Sequence, residues 1–192
     1  MRTLPFEQAS LSVAAETLLR GGVVIFPTET VYGIAVHPAF PAALERVRAL
    51  KQRERAKPFQ LLAADVQRVW ADGALRTPAA ERLAVAWPGA LTLVLPTARG
   101  TVEGYRVPDL PLLCALLRLC GGLLRCTSVN LSGQAPALTA RAAAESLGGG
   151  VDLLLDGGPA RLGVASTVVA VEGERVRVLR QGALTVRAEG ER

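Results

Sequence analysis

Apolar side chains recur at residues 11, 14, 15, 18 and 19. That is the spacing of one helical face, so a helix is predicted over residues 7–20, ended by Gly21-Gly22. Val23-Val24-Ile25-Phe26 then predicts a buried strand, closed by Pro27. From Pro41 to Leu50 the pattern is helical again, with Leu44, Val47 and Leu50 on one face, and it delivers Lys51 and Arg53 at its C-terminal end. Phe59 to Ala63 predicts a short strand, and helices follow around 65–71 and 78–86. Leu91 to Leu95, introduced by Trp87-Pro88-Gly89, is another strand. Residues 110–120 predict a helix, and 123–127 a strand that stops at a Ser128/Asn130 turn. Thr139 caps a helix to about Ser146, and strands are predicted at Val151–Leu155, Val164–Val171 and Val176–Leu179. Strands and helices alternate, with a strand-rich tail. The expectation is an α/β fold with an open, mixed sheet flanked by helices. Such sheets bind ligands in the crevice beyond their strand ends, where the polar segments of this chain could converge.

The 192 residues fit one domain, 1–192, with a core of about 7–185; no repeat or linker divides them. With 50% apolar and 20% charged residues the profile is globular. The formal charge of +5 permits nucleotide or RNA partners, but Tyr32 and Tyr105 are the only tyrosines, too few aromatics for a base-stacking platform. The start shows no secretory pattern, and the longest apolar run, Leu112 to Leu117, is far below the roughly 18 residues of a membrane span. A cytoplasmic protein with no membrane partner is expected. Cys114, Cys120 and Cys126 fit no zinc or redox spacing and read as reduced, mostly buried small hydrophobes. His37 is the only histidine, so a Ser/His/Asp or Cys/His arrangement would have to use it; it reads as structural or surface. No Walker A, GxGxxG or HExxH pattern is present.

Rare residue types mark the candidate chemistry. Against twenty arginines there are only two lysines, both in Lys51-Gln52-Arg53-Glu54-Arg55-Ala56-Lys57. A lysine is a compact point charge where arginine is a planar fork, so a phosphate contact is one reading and a solvated helix end the other. The only asparagine, Asn130, sits in Thr127-Ser128-Val129-Asn130-Leu131-Ser132-Gly133, which is either a polar ligand loop or a plain Asx turn. Thr28, Glu29, Thr30 and Tyr32 follow a strand and either face a ligand or satisfy their own backbone. Ser166-Thr167 interrupts an apolar strand and calls for a partner, either a ligand or a core hydrogen bond. Arg180 lies just past a strand end.

These segments, together with Trp87-Pro88-Gly89-x-Leu91-Thr92, Arg106-Val107-Pro108-Asp109 and Leu179-Arg180-x-Gly182, resemble the successive motifs of the YrdC-like family. The seven motifs run in order from about residue 10 to residue 185, and the chain is similar to the short, single-domain threonylcarbamoyl-AMP synthases of the TsaC type. The resemblance implies a nucleotidyltransferase that condenses L-threonine, bicarbonate and ATP into threonylcarbamoyl-adenylate and pyrophosphate. Mg²⁺ is implied beside the ATP. Downstream transfer proteins would then place the threonylcarbamoyl group on tRNA position 37, and tRNA or double-stranded RNA would be a weak partner. By the same resemblance Thr30, Tyr32, Arg106, Ser128 and Ser166 would contact threonine. Lys51, Arg53, Lys57, Asn130 and Arg180 would contact ATP, with Lys51 and Arg53 nearest the chemistry.

No side chain reads as a general base, so catalysis by orientation and electrostatics is expected. Three positions depart from the family's pattern: Val129 stands where Ala is common, Leu62 where longer relatives place a histidine, and Glu54 where Pro is common. Two rival functions remain: a non-catalytic module that binds double-stranded RNA or tRNA, and a carbamoyl-transfer domain of the HypF type, which sits in a longer, cysteine-rich chain.

Overall fold

The computed structural model describes residues 1–52, 58–147 and 149–186. Ten strands form one sheet: β1 (Arg2–Pro5), β2 (Val24–Phe26), β3 (Gly33–Val36), β4 (Gln60–Ala63), β5 (Leu91–Pro96), β6 (Val102–Arg106), β7 (Leu123–Ser128), β8 (Leu153–Asp156), β9 (Thr167–Glu172) and β10 (Arg175–Arg180). Their order across the sheet is β1-β8-β2-β3-β7-β4-β6-β5-β9-β10. Pairing is mixed as expected, parallel for β4/β6 and β5/β9, antiparallel for β3/β7, β4/β7 and β5/β6. The helices are α1 (Leu11–Leu19), α2 (Pro41–Leu50), α3 (Val66–Ala71), α4 (Pro78–Ala84), α5 (Pro111–Leu119) and α6 (Ala140–Leu147). Where the sequence predicts one helix over 7–20, a single 3₁₀ turn at Gln8–Ser10 precedes α1.

Capping fixes several helix starts. Asp65 and Thr77 accept the backbone N–H of Arg68 and Ala80, and Thr139 accepts that of Ala142 at 3.2 Å, each side chain satisfying a donor that the first turn leaves unpaired. Proline opens α2, α4 and α5, where its missing N–H costs nothing.

Successive side chains of a strand point to opposite faces, so each face has its own core. On one face Ile25, Ile34, Val36 and Leu154 pack with residues of α2 and α6, while Leu61, Leu93, Tyr105 and Val169 pack with α3 and α4. On the other face α1 and α5 cover only Val24, Phe26, Leu62, Leu124 and Cys126 with their neighbours. The rest of that second face, over β4, β5, β6 and β9, carries no helix among the described residues, and the candidate site lies there. The expected crevice beyond the strand ends is therefore a depression on the sheet itself.

Candidate active site

A cavity of about 410 Å³ opens on the uncovered face, lined by Gln60, Thr92, Gly104, Ser128, Ala165 and Arg180 among others. Period-two alternation along the strands puts Thr92, Gly104 and Ser128 on this side and their apolar neighbours in the core. The Thr92 hydroxyl donates to Gln60 Oε1 at 2.8 Å and lies 2.8 Å from Ser166 Oγ. Gln60 Oε1 only accepts, so Thr92 has spent its proton and Ser166 must be the donor to Thr92. What remains on Ser166 is an oxygen that accepts. Arg180, exposed at the rim, is anchored by the Ser166 carbonyl, at 3.3 Å from Nε and 2.8 Å from Nη2.

Gly182 makes this anchorage possible. A Cβ there would stand 2.2 Å from the Ala165 carbonyl oxygen, closer than any side chain tolerates. With only hydrogen at that position, Gly182 N donates to Thr167 Oγ1 at 2.9 Å and Ala183 N to the Ala165 carbonyl at 2.9 Å, which tie the chain after β10 to the start of β9.

Lys51 ends α2 as a fully buried ammonium. It donates to the carbonyls of Ser128 and Asn130 and, at 3.0 Å, to Asn130 Oδ1. Three N–H groups meet three oxygens of one loop. The Lys51 carbonyl in turn accepts Ser132 N at 3.1 Å. Asn130 is held from both ends: Oδ1 also accepts Ser128 Oγ at 2.6 Å, and Nδ2 donates to the carbonyls of Leu131 (2.9 Å) and Gln134 (2.8 Å). At position 51 the choice of lysine thus has a local explanation that the sequence did not offer. A compact tetrahedral donor fits where three oxygens converge, and a planar guanidinium does not.

The loop after β2 is buried throughout, from Thr28 to Tyr32. Thr28 Oγ1 accepts the N–H of Thr30 (3.1 Å) and Val31 (3.2 Å) and lies 2.7 Å from Thr30 Oγ1. Tyr32 donates its hydroxyl to the Gly158 carbonyl at 2.7 Å and accepts Gly157 N at 3.2 Å. Burial, the larger influence, and the nearby Asp156 charge raise the pKa of that phenol. Between the two threonines Glu29 turns the other way, against Arg106. Glu29 Oε1 stands 2.7 Å from Arg106 Nη2, and the two side chains are 2% and 3% exposed. The ion pair lacks an aligned hydrogen bond, so both carboxylate oxygens and Nη2 are buried without one. Arg106 Nε donates to the Gly89 carbonyl at 3.2 Å, which leaves Nη1 without a protein acceptor among the described residues.

The structure therefore sorts the predicted residues. Ser128, Ser166, Arg106 and Arg180 gather around the open face. Lys51 and Asn130 fasten the loop that carries Ser128, and Thr30 and Tyr32 lie buried in the loop after β2 with their hydroxyls engaged. Arg53 and Lys57, like Glu54, lie outside the described residues. Leu62 and Val129 are buried in the core, so those departures from the family pattern are accommodated by packing. Gln60 and Thr92 were given no role from the sequence, and Glu29 was singled out there only as a member of the polar loop after β2. The signal for Thr92 was the one used for Ser166, a hydroxyl inside an apolar run. The three cysteines are free and buried, and His37 accepts Ala39 N at 3.3 Å with its ring edge-on to Phe40. Among the described residues no group of three or more His, Cys, Asp or Glu could hold a metal ion, and no helix is long and apolar enough to cross a membrane.

Comparison with known proteins agrees with this architecture. Residues 16–182 match the Sua5/YciO/YrdC family, which carries the description "Telomere recombination". The chain is 34% identical to the threonylcarbamoyl-AMP synthase of Bacillus subtilis (strain 168), over 91% of its own length and 54% of that protein. With the protein of the same name from Nitrosococcus oceani it shares 38% over 76% of its length and 84% of that relative. Among solved structures, P. abyssi Sua5 complexed with L-threonine superimposes with a TM-score of 0.85 at 30% identity, covering 94% of this chain and 56% of that one. E. coli YciO does so with 0.82 at 25% identity, covering 92% and 90%. The chain thus spans about half of the B. subtilis and P. abyssi proteins and most of the N. oceani and E. coli ones. A ten-stranded mixed sheet, its open polar face and a match over residues 16–182 place this chain in the Sua5/YciO/YrdC family.

Proposed function

We propose that the protein is a threonylcarbamoyl-AMP synthase, joining L-threonine, bicarbonate and ATP into threonylcarbamoyl-adenylate and pyrophosphate as one step of tRNA modification. The observation that carries this reading is the pairing of Arg106, with Nη1 unspent, and Ser166, with an acceptor unspent, beside a cavity of about 410 Å³. A carboxylate suits the first group and an ammonium or hydroxyl the second, which together suit an amino acid, threonine among them.

In this reading threonine binds with its carboxylate on Arg106 and its polar hydrogens toward Ser128 and Ser166. Its ammonium gives up one proton to solvent, the free amine attacks bicarbonate carbon, water leaves, and a carbamate results. A carbamate oxygen then attacks the α-phosphorus of ATP as the bond to pyrophosphate breaks. Negative charge accumulates on the departing group, and Arg180 at the rim, with Arg53 and Lys57 from the segment beyond α2, would stabilise it. Lys51 and Asn130 contribute by holding the Ser128 loop in place, so that little reorganisation accompanies the reaction. The described residues offer no ligand set for a metal, and Mg²⁺ enters only as the companion of ATP.

The test is to incubate the protein with ATP, bicarbonate and single amino acids and to follow pyrophosphate. Release that requires threonine and bicarbonate together is expected. Release independent of the amino acid, or none with any of them, would reject the reading.

A further inference from the structure

Two guanidiniums flank the candidate site, and among the described residues only one has a carboxylate against it. Arg180 is anchored by a carbonyl alone, whereas Arg106 carries Glu29 at 2.7 Å. The two cations feel each other, since burial and then the Arg106 charge lower the pKa of Arg180. Left to themselves they would form a doubly positive pocket, to which the best ligand is a multiply charged anion such as phosphate or pyrophosphate. A buried carboxylate with no aligned hydrogen bond is costly to maintain, and one without a satisfied network calls for another explanation.

We propose that Glu29 determines specificity: by cancelling the Arg106 charge it reserves that guanidinium for a net-neutral, zwitterionic amino acid and turns phosphate groups toward Arg180. The inference rests on the amino-acid reading given above. Charge counting supplies the reason. Arg106 with Glu29 and a zwitterion sum to zero, a combination that can be desolvated together. Arg106 with Glu29 and a phosphate dianion leave two uncompensated negative charges in a buried place. Discrimination thus comes from a repulsive element placed against the wrong ligand as well as from an attractive one for the right ligand. Glu29 is well held for this task, because its carbonyl accepts Leu162 N at 2.8 Å and the Thr28 turn closes around it.

The test uses the full chain and calorimetric titration with two separate probes, L-threonine and inorganic phosphate. In Glu29→Gln, threonine affinity should fall and phosphate affinity should rise, each by about tenfold, the lower end of what one adjacent charge is worth. Glu29→Asp, which keeps the charge, should return both toward the wild type. Glu29→Gln combined with Arg106→Gln should lose the gain for phosphate. If Glu29→Gln does not fold, the double variant and Glu29→Asp carry the comparison: phosphate affinity in the double variant at or above that of Glu29→Asp would then overturn the proposal. Parallel weakening of both probes in Glu29→Gln marks a merely structural residue and also overturns it. Failure of the wild type to bind threonine would instead reject the amino-acid reading, while the phosphate titration still reports whether Glu29 guards Arg106.

Discussion

Lys51 and Arg106 are both cations that the fold takes out of water, 1% and 3% exposed, and they serve opposite ends. Lys51 meets three loop oxygens, so its donors are spent inside the protein. Among the described residues Arg106 has one hydrogen bond, one misaligned ion pair and an Nη1 with no protein acceptor. Both pay the same kind of desolvation cost, but only the second keeps unspent bonding capacity. Burial of a charge is therefore a poor guide to function by itself. The number of donors left over separates a fastener from a binding group.

The contrast is testable. In Lys51→Met the oxygens of Ser128 and Asn130 lose their donor in a buried place, and a loss of about 3 kcal/mol is expected from orphaned acceptors. For a chain of this size that lowers the melting temperature by about 6–12 °C. Loss of pyrophosphate release with unchanged melting would break the comparison, because Lys51 would then belong with Arg106.

Replacing Glu29 by Gln and Arg106 by Met together removes both members of a buried ion pair, which leaves no charge stranded. Melting should stay within about 1 kcal/mol of the wild type, while threonine affinity drops by roughly thirtyfold or more. Calorimetry on the same sample gives both values, and a large melting shift would make Arg106 another fastener. Ser166→Ala removes the acceptor at the end of the Thr92 chain and should weaken threonine by about tenfold, with ATP affected less. Equal losses for the two ligands would take Ser166 out of the amino-acid site.

The smallest effect concerns Cys126, which feels both cations. Burial pushes its thiol up to about 12, although Arg106 and Lys51 each act to lower it. At pH 8 only about one molecule in ten thousand would carry the thiolate. A thiol reagent should therefore not modify native Cys126 on the time scale of minutes, and should do so after denaturation. Rapid native reaction would mean that the Lys51 loop opens readily.

Most elements were legible where the pattern was long or capped, as in Pro41–Leu50 and the Thr139-capped helix. Three strands were not. β1 is short and mostly exposed, so no alternation marks it. β3, Gly33–Val36, is buried on both faces and reads as the end of the polar loop before it. β6 mixes Glu103, Gly104 and Arg106 with Val102 and Tyr105 because one of its faces lines the cavity, and that same fact hides it. Ser166 was expected within a strand beginning at Val164, but β9 begins at Thr167, since the backbone before it is taken up by Ala183 and Arg180. In the site, residue types pointed to Ser128 and Ser166, and the family resemblance to Arg106 and Arg180. The fastening role of Lys51 and the counter-charge of Glu29 could not be read, because both depend on contacts between segments far apart in sequence.

The burial of Lys51 also makes the chain its own clock. An amine-acylating reagent finds few targets here: the N-terminal amine, Lys57 and Lys51. Lys51 is 1% exposed, and to be reached it must give up its bonds to the Ser128–Asn130 loop. The rate at which its side chain acquires an acyl mass therefore counts loop openings, one residue reporting how often the wall of the site comes apart. A ligand that rests on Ser128 would slow that clock without touching the lysine.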